Sequence, residues 1–266
     1  MIIARVPEGL RVVLQTDHQD QCRLMADEWG NADFARPHPW APVVRAAGCH
    51  DEGWREWEAT PRVLPAGEPQ GFAQMEPEQH AAIHRRSIAT AMSLDPRTGL
   101  LVSMHGAGLS LRRLGLDGRM PHVADRPDPI RDLIHDQAVL QRRVRAGVGE
   151  GTAIAGWSWD CYRLLQAWDL LSLYLTWRGL VGGDSWTLRR VPRSIGDEAG
   201  VDLAVTPVDD MTCALDPWPF RRARIEAPVR GRIIPDRPYD DHDALRAALE
   251  DAPWRVVEHR VVPFGS

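Results

Sequence analysis

No lysine occurs among the 266 residues, and all 32 basic side chains are arginine. That absence excludes a lysine Schiff base, a lysine general base and the lysine of a phosphate-binding P-loop. Cysteine is sparse. Cys22, Cys49, Cys161 and Cys213 are scattered without C-x-x-C spacing, the pattern of reduced, mostly buried thiols in a cytoplasmic protein. No apolar run reaches the length that spans a bilayer, and Met1-Ile2-Ile3-Ala4-Arg5 lacks a signal-peptide pattern. The net charge of −5 gives no reason to expect nucleic acid or an anionic membrane as partner. Gly147-Val148-Gly149-Glu150-Gly151 follows no strand, so a dinucleotide fold is not expected. Ser103, Ser158 and Ser172 carry no serine-hydrolase signature.

The chain is long enough for one large domain, or a main domain with a smaller one. Ile2-Ile3 and Val12-Val13-Leu14 flank the turn Pro7-Glu8-Gly9 and predict a hairpin over residues 1–15. Thr16 then caps a helix to about Trp29, with Cys22, Met25 and Trp29 on its apolar stripe and His18 on the same face. A helix from about Pro42 runs into His50-Asp51. Residues 53–77, with Trp54 and Trp57, read as irregular. Helices follow over about Glu78–Ser93, with His80 and His84 one turn apart, and Pro96–Arg113, with His105. After a loop over 114–129 come an amphipathic helix (130–146) and a long apolar one (153–178) carrying Asp169. From Gly182, short β-prone runs (Trp186–Val191, Val201–Val205, Arg224–Val229, Arg255–Val262) and one helix (Asp241–Glu250) make a β-rich region to which the hairpin is able to pair.

The chemistry gathers on Cys49-His50-Asp51-Glu52-Gly53. An imidazole beside a carboxylate suits one divalent ion. A two-metal site needs about six protein ligands and a carboxylate able to bridge ions roughly 3.5–4 Å apart. His18, His50, Asp51, His80, His105 and Asp169 supply such a set in order. Asp169, between Trp168 and Leu170, needs a hydrogen bond, a counter-charge or a metal to be buried.

In these residues the sequence resembles the HD-domain superfamily of metal-dependent helical enzymes, over about residues 10–180. More narrowly it looks like an uncharacterised bacterial family that pairs the pattern with stretches like His50-Asp51-Glu52-Gly53-Trp54, Leu101-Val102-Ser103-Met104-His105-Gly106 and Asp169-Leu170-Leu171-Ser172-Leu173, and that shares the tail with Pro217-Trp218-Pro219-Phe220. The resemblance implies a mainly α fold: an HD-like helical bundle over 16–181 behind the hairpin at 1–15, with a small β-rich C-terminal region at 182–266. It implies that His18, His50, Asp51 and Asp169 hold a first ion, with Asp51 bridging, and that His80 and His105 complete a second site. One or two divalent ions are expected, whether iron, manganese or zinc. Two departures stand out. Trp54 follows Gly53 where many phosphohydrolases of the superfamily have lysine, and a single His105 precedes Gly106 where some phosphodiesterases have His-His. The second keeps the diiron oxygenases of the superfamily in view.

The expected function is metal-dependent hydrolysis of a small phosphate ester or anhydride. Asp51 and Glu52 are the candidate catalytic residues, and Trp54, His84 and Arg85 the candidate substrate contacts. The alternatives are a diiron oxygenase acting on a small organic substrate and a non-catalytic metal-binding regulatory module. The expected partner is a small molecule, with room for a homodimer. Each candidate also has a plainer role: His18 bonded to Asp17 or Glu52, Asp169 paired with Arg163, His105 capping a helix, the tryptophans packed in the core, and Arg85, Arg86, Arg112 and Arg113 solvated. His80 and His84 compete for one ligand position, with His80 preferred.

Overall fold

The computed structural model describes residues 1–111, 122–150 and 156–266. Strands β1 (Ile2–Val6) and β2 (Gly9–Val13) form the N-terminal hairpin. They are followed by helices α1 (Gln15–Glu28), α2 (Ala41–Ala47), α3 (Trp54–Glu58), α4 (Pro77–Leu94), α5 (Pro96–Ser110), α6 (Asp128–Gly147), α7 (Trp157–Thr176) and α8 (Gly179–Gly182). The chain then runs through β3 (Trp186–Val191), β4 (Val201–Asp209), β5 (Thr212–Asp216), β6 (Ile225–Ile234), α9 (His242–Asp251) and β7 (Arg255–Pro263). The seven strands make one sheet in the order β1-β2-β6-β7-β5-β4-β3. Every pairing is antiparallel except β5 with β7.

This architecture corrects the expectation of a mainly α, HD-like bundle with a small β-rich appendage. The fold is mixed α/β, and the sheet is part of its centre. Leu188, Leu203, Val205, Leu215, Ile225, Ala227 and Val261 from the strands lie in the same buried core as Cys22, Met25, Trp168 and Leu171 from the helices. The apolar faces of the strands and the helices bury against one another. The N-terminal hairpin joins the sheet through β2, whose Leu10, Arg11 and Val12 pair with Ile234, Ile233 and Arg232 of β6. Gly9 (φ +141°) closes the hairpin, where a Cβ would run into the Ile234 carbonyl.

α1 lies across β6 and α7. It starts at Gln15, with Leu14 at its cap position and no capping side chain. α7 is buried nearly all round. Trp29, Trp168, Phe34, Phe220 and Trp40 lock α1 and α7 to the 217–220 segment through edge-to-face ring contacts at 5.5–5.8 Å, each adding about 0.5–1.5 kcal/mol beyond the area it buries. α2 stops at Ala47, so His50 and Asp51 lie in the turn between α2 and α3 rather than on a helix. Among the described residues no helix is long and apolar enough to cross a membrane. Arg112, Arg113 and residues 114–121 of the loop expected at 114–129 lie outside the described residues.

Candidate metal centre

α1 is rich in polar residues, yet Gln15, Thr16, Asp17, His18, Gln19 and Gln21 are all buried. Buried polar groups cost stability unless they are bonded, and the bonds of this helix define the centre. The Gln21 side-chain N–H donates to the Ala227 carbonyl on β6 at 2.5 Å, which turns its Oε1 towards Ser172. Ser172 Oγ–H donates to that Oε1 at 2.6 Å. With its proton committed, Ser172 Oγ accepts from His18 Nδ1–H at 2.7 Å. His18 Nε2 is thereby left facing Asp169 Oδ1 at 3.1 Å. Burial disfavours charge on His18, but the adjacent Cys22 and Asp169 outweigh it and hold the imidazole well above its usual range. The proton of a charged His18 is then held on Nε2 against Asp169.

His50 is oriented in the same way. Its Nδ1–H donates to the Ala47 carbonyl at 2.9 Å, across the end of α2. Its Nε2 therefore carries a lone pair and, fully buried, has no hydrogen-bond partner among the described residues. Asp51 Oδ2 at 3.7 Å and Asp169 Oδ1 at 3.9 Å, both acceptors, lie near it. An orphaned ring nitrogen pointing at two carboxylates is the arrangement of a metal-ligating histidine, whose other nitrogen is fixed by a backbone carbonyl. Asp51 is held from behind, its backbone N–H donating to Gln19 Oε1 at 3.0 Å. Burial raises its carboxyl pKa, against the pull of His50 and His18.

A line of rings leads outward from this point. His50 and His105 stand edge to face at 4.8 Å, His105 and His84 at 6.5 Å, and His84 and His80 at 4.3 Å. Ligand atoms of His50, Asp51 and His105 come within 4.8 Å of one another. The Gln166 side-chain amide sits 2.5 Å from His105 Nδ1. His84 is fully buried, and its Nε2 lies 3.0 Å from that of His80, which is partly exposed. Burial, and then the neighbouring His80, His105 and His50, push His84 well below its usual range, and burial lowers His80 too. The structure thus places His84 between His105 and His80, with His80 at the outer end of the line.

Gly53 seats the His50-Asp51 turn on α4. Its N–H donates to Ser87 Oγ at 2.9 Å, and a Cβ there would overlap the Ile83 carbonyl. Gly106 does the same for α5, since a Cβ would press on the His84 ring at 3.2–3.3 Å.

The other residues singled out in the sequence stand apart from the cluster. Glu52 accepts from Arg55 at 2.5 and 3.1 Å and from the Gln19 side chain at 2.9 Å, so it braces the helix that positions Asp51. Trp54 is buried with Trp57 and Ile83, its ring 6.4 Å from that of His80. Arg85 is exposed and paired with Asp136 on α6 at 3.2 Å. Arg163 pairs with Asp160 at 3.0 Å, not with Asp169. A groove of about 700 Å³ between β1 and the 66–74 segment, lined by Phe72, Trp177 and Arg178 among others, contains none of the cluster residues.

Sequence patterning passed over Gln21, Ser172 and Cys22. The signal for them was helical spacing from residues already chosen. Gln21 and Cys22 follow His18 by three and four positions, and Ser172 follows Asp169 by three.

Fold and site together define a mixed α/β protein with a buried cluster of histidines and carboxylates where helices meet a seven-stranded sheet. The chain belongs to the family described as Protein of unknown function (DUF3891), whose model matches residues 1–236. No curated protein and no solved structure matches it. The likeness to the HD-domain superfamily is corrected accordingly. The family found is a different one, and the sheet built from both ends of the chain is not the helical bundle that likeness implied.

Proposed function

We propose that this protein is a metal-dependent hydrolase whose ion is held by His18, His50, Asp51 and Asp169, acting on a small phosphate ester or anhydride. The observation that carries the reading is the buried, unpartnered His50 Nε2 aimed at Asp51 and Asp169. Two imidazoles and two carboxylates suit manganese, iron or zinc. A divalent ion bound there supplies Lewis acidity and lowers the pKa of a coordinated water.

The chain's own residues supply the rest. Ser172 and Ala47 engage the two ring Nδ1 atoms, which turns each Nε2 towards the ion's place. Asp51, whose carboxyl is raised by burial, would hold the ion through one oxygen and take a proton on the other. His105, His84 and His80 follow one another outward from Asp51, and His84 and His80, which burial pushes towards neutral, are acceptors for an incoming group.

The test is elemental analysis of protein purified without added metal or chelator, followed by a phosphoester screen of the wild type and Asp51→Ala. A bound transition metal that Asp51→Ala loses, together with turnover that tracks metal content, is the expected result. Protein that is metal-free and takes up none on reconstitution sinks the proposal.

A further inference from the structure

Cys22 lies one helical turn after His18, on the same face of α1, and is completely buried. Its thiol hydrogen points at the Trp168 carbonyl on α7, with the sulfur 3.6 Å from that oxygen. The sulfur lone pairs are left facing His18 Nε2 at 3.8 Å. Ligand atoms of His18, Cys22 and His50 all lie within 4.8 Å of one another. An N–S edge around a tetrahedral ion is roughly 3.5 Å, from bonds of about 2.0–2.1 Å to nitrogen and 2.3 Å to sulfur. The His18–Cys22 separation needs only a small closure to reach it.

The environment makes the sulfur more than a space-filler. His18 Nε2, His50 Nε2, Asp169 Oδ1 and Cys22 Sγ converge as electron-pair donors. Both imidazole Nδ1 protons are committed elsewhere, to Ser172 and Ala47. His50 Nε2, independently of the cysteine, is buried without a partner and points into the same space.

We propose that Cys22 is a thiolate ligand of the ion held by His18 and His50, and that its sulfur makes the centre select zinc, cobalt or iron over magnesium and calcium. The inference rests on the metal reading above. On binding, the Cys22 S–H bond breaks, its electron pair forms the metal–sulfur bond, and the proton passes to solvent. Sulfur favours borderline ions, whereas magnesium and calcium take oxygen. Asp169 Oδ1, 3.1 Å from His18 Nε2, is the fourth donor for such an ion.

The experiment adds cobalt(II) to the metal-free full chain and records the visible and near-ultraviolet spectrum. Visible ligand-field bands accompanied by a sulfur-to-cobalt charge-transfer band are expected. In Cys22→Ser the charge-transfer band should vanish while the visible bands remain, and zinc affinity should fall about tenfold or more, with manganese affinity changed far less. Should Cys22→Ser fail to fold, X-ray absorption of the zinc-loaded wild type answers the same question, because a sulfur scatterer at about 2.3 Å is required. Ligand-field bands without charge transfer, a band that persists in Cys22→Ser, or a zinc shell of nitrogen and oxygen alone would each remove Cys22 from the centre and leave the metal reading intact. If neither cobalt nor zinc binds, both readings fall.

Discussion

The tautomer of His18 is set by the Ala227 carbonyl, three hydrogen bonds away on β6. Gln21 donates to Ala227, Ser172 donates to Gln21, and His18 Nδ1–H donates to Ser172, at 2.5, 2.6 and 2.7 Å. Reversing any one of them would set two acceptors or two donors against each other in the core.

Ser172→Ala tests that relay. It strands the His18 Nδ1–H and the Gln21 Oε1 without touching a candidate ligand. Metal affinity should fall by about 10–100-fold, and stability by about 1–3 kcal/mol. Metal titration and chemical denaturation read the two effects separately. Unchanged affinity would mean that the relay does not orient His18.

Gly53→Ala should do more damage than Gly106→Ala, although both add one methyl. At Gly53 the methyl meets the Ile83 carbonyl, part of a helix backbone that cannot turn aside. At Gly106 it meets the His84 side chain at 3.2–3.3 Å, a milder overlap than at Gly53. The first should cost about 1–3 kcal/mol and carry the His50-Asp51 turn off α4. Melting temperature and retained metal should fall together for Gly53→Ala, and Gly106→Ala should lie closer to wild type on both.

Glu52→Gln should leave metal content at the wild-type level. Glu52 is occupied by Arg55 and Gln19 and contributes no atom to the cluster. Its loss removes a partly exposed ion pair, worth about 0–1 kcal/mol. Elemental analysis beside Asp51→Ala makes the comparison, and loss of metal from Glu52→Gln would give it a role at the ion.

His259 supplies a pH dependence away from the centre. Burial, then Arg11, lower its pKa to about 3. The unfolded chain protonates this histidine below about pH 6.5, whereas the folded one stays neutral to about pH 3. Between those limits the unfolded state binds more protons, so stability falls as pH falls, by a few kcal/mol in all. Above pH 6.5 the term is absent. His259→Gln should flatten the acid limb of the stability profile measured by denaturation across this window. An unchanged limb would assign the acid sensitivity to other groups.

How much of this was legible in the sequence depends on the kind of signal. The helices from Glu78 and Pro96 and the strands at 186–191 and 255–262 stood out because one face of each is apolar at the proper period. β5, five residues with four buried in a row, had no alternation to show. The place of the sheet was hidden because pairing of β2 with β6 is a long-range fact that no local pattern reports. His18, His50, Asp51 and Asp169 attracted notice as chemistry-bearing types in apolar settings, and the fold brings their side chains together. Arg85 and Glu52 show the opposite case. Both lie within a few positions of cluster residues, but the phase of α4 turns Arg85 to Asp136, and Glu52, in the turn before α3, pairs with Arg55.

The pairing of β2 with β6, and of Gln21 with Ala227 206 residues further along the chain, also sets an order of events. A ribosome delivers α1 long before it delivers β6. Until that strand emerges and docks, Gln21 has no carbonyl to bind, Ser172 has no fixed acceptor, and His18 is free to turn over. The centre cannot be assembled piecemeal on the nascent chain. It is completed only once β6 has docked on β2 and α1, and a metal ion would meet an oriented His18 no earlier.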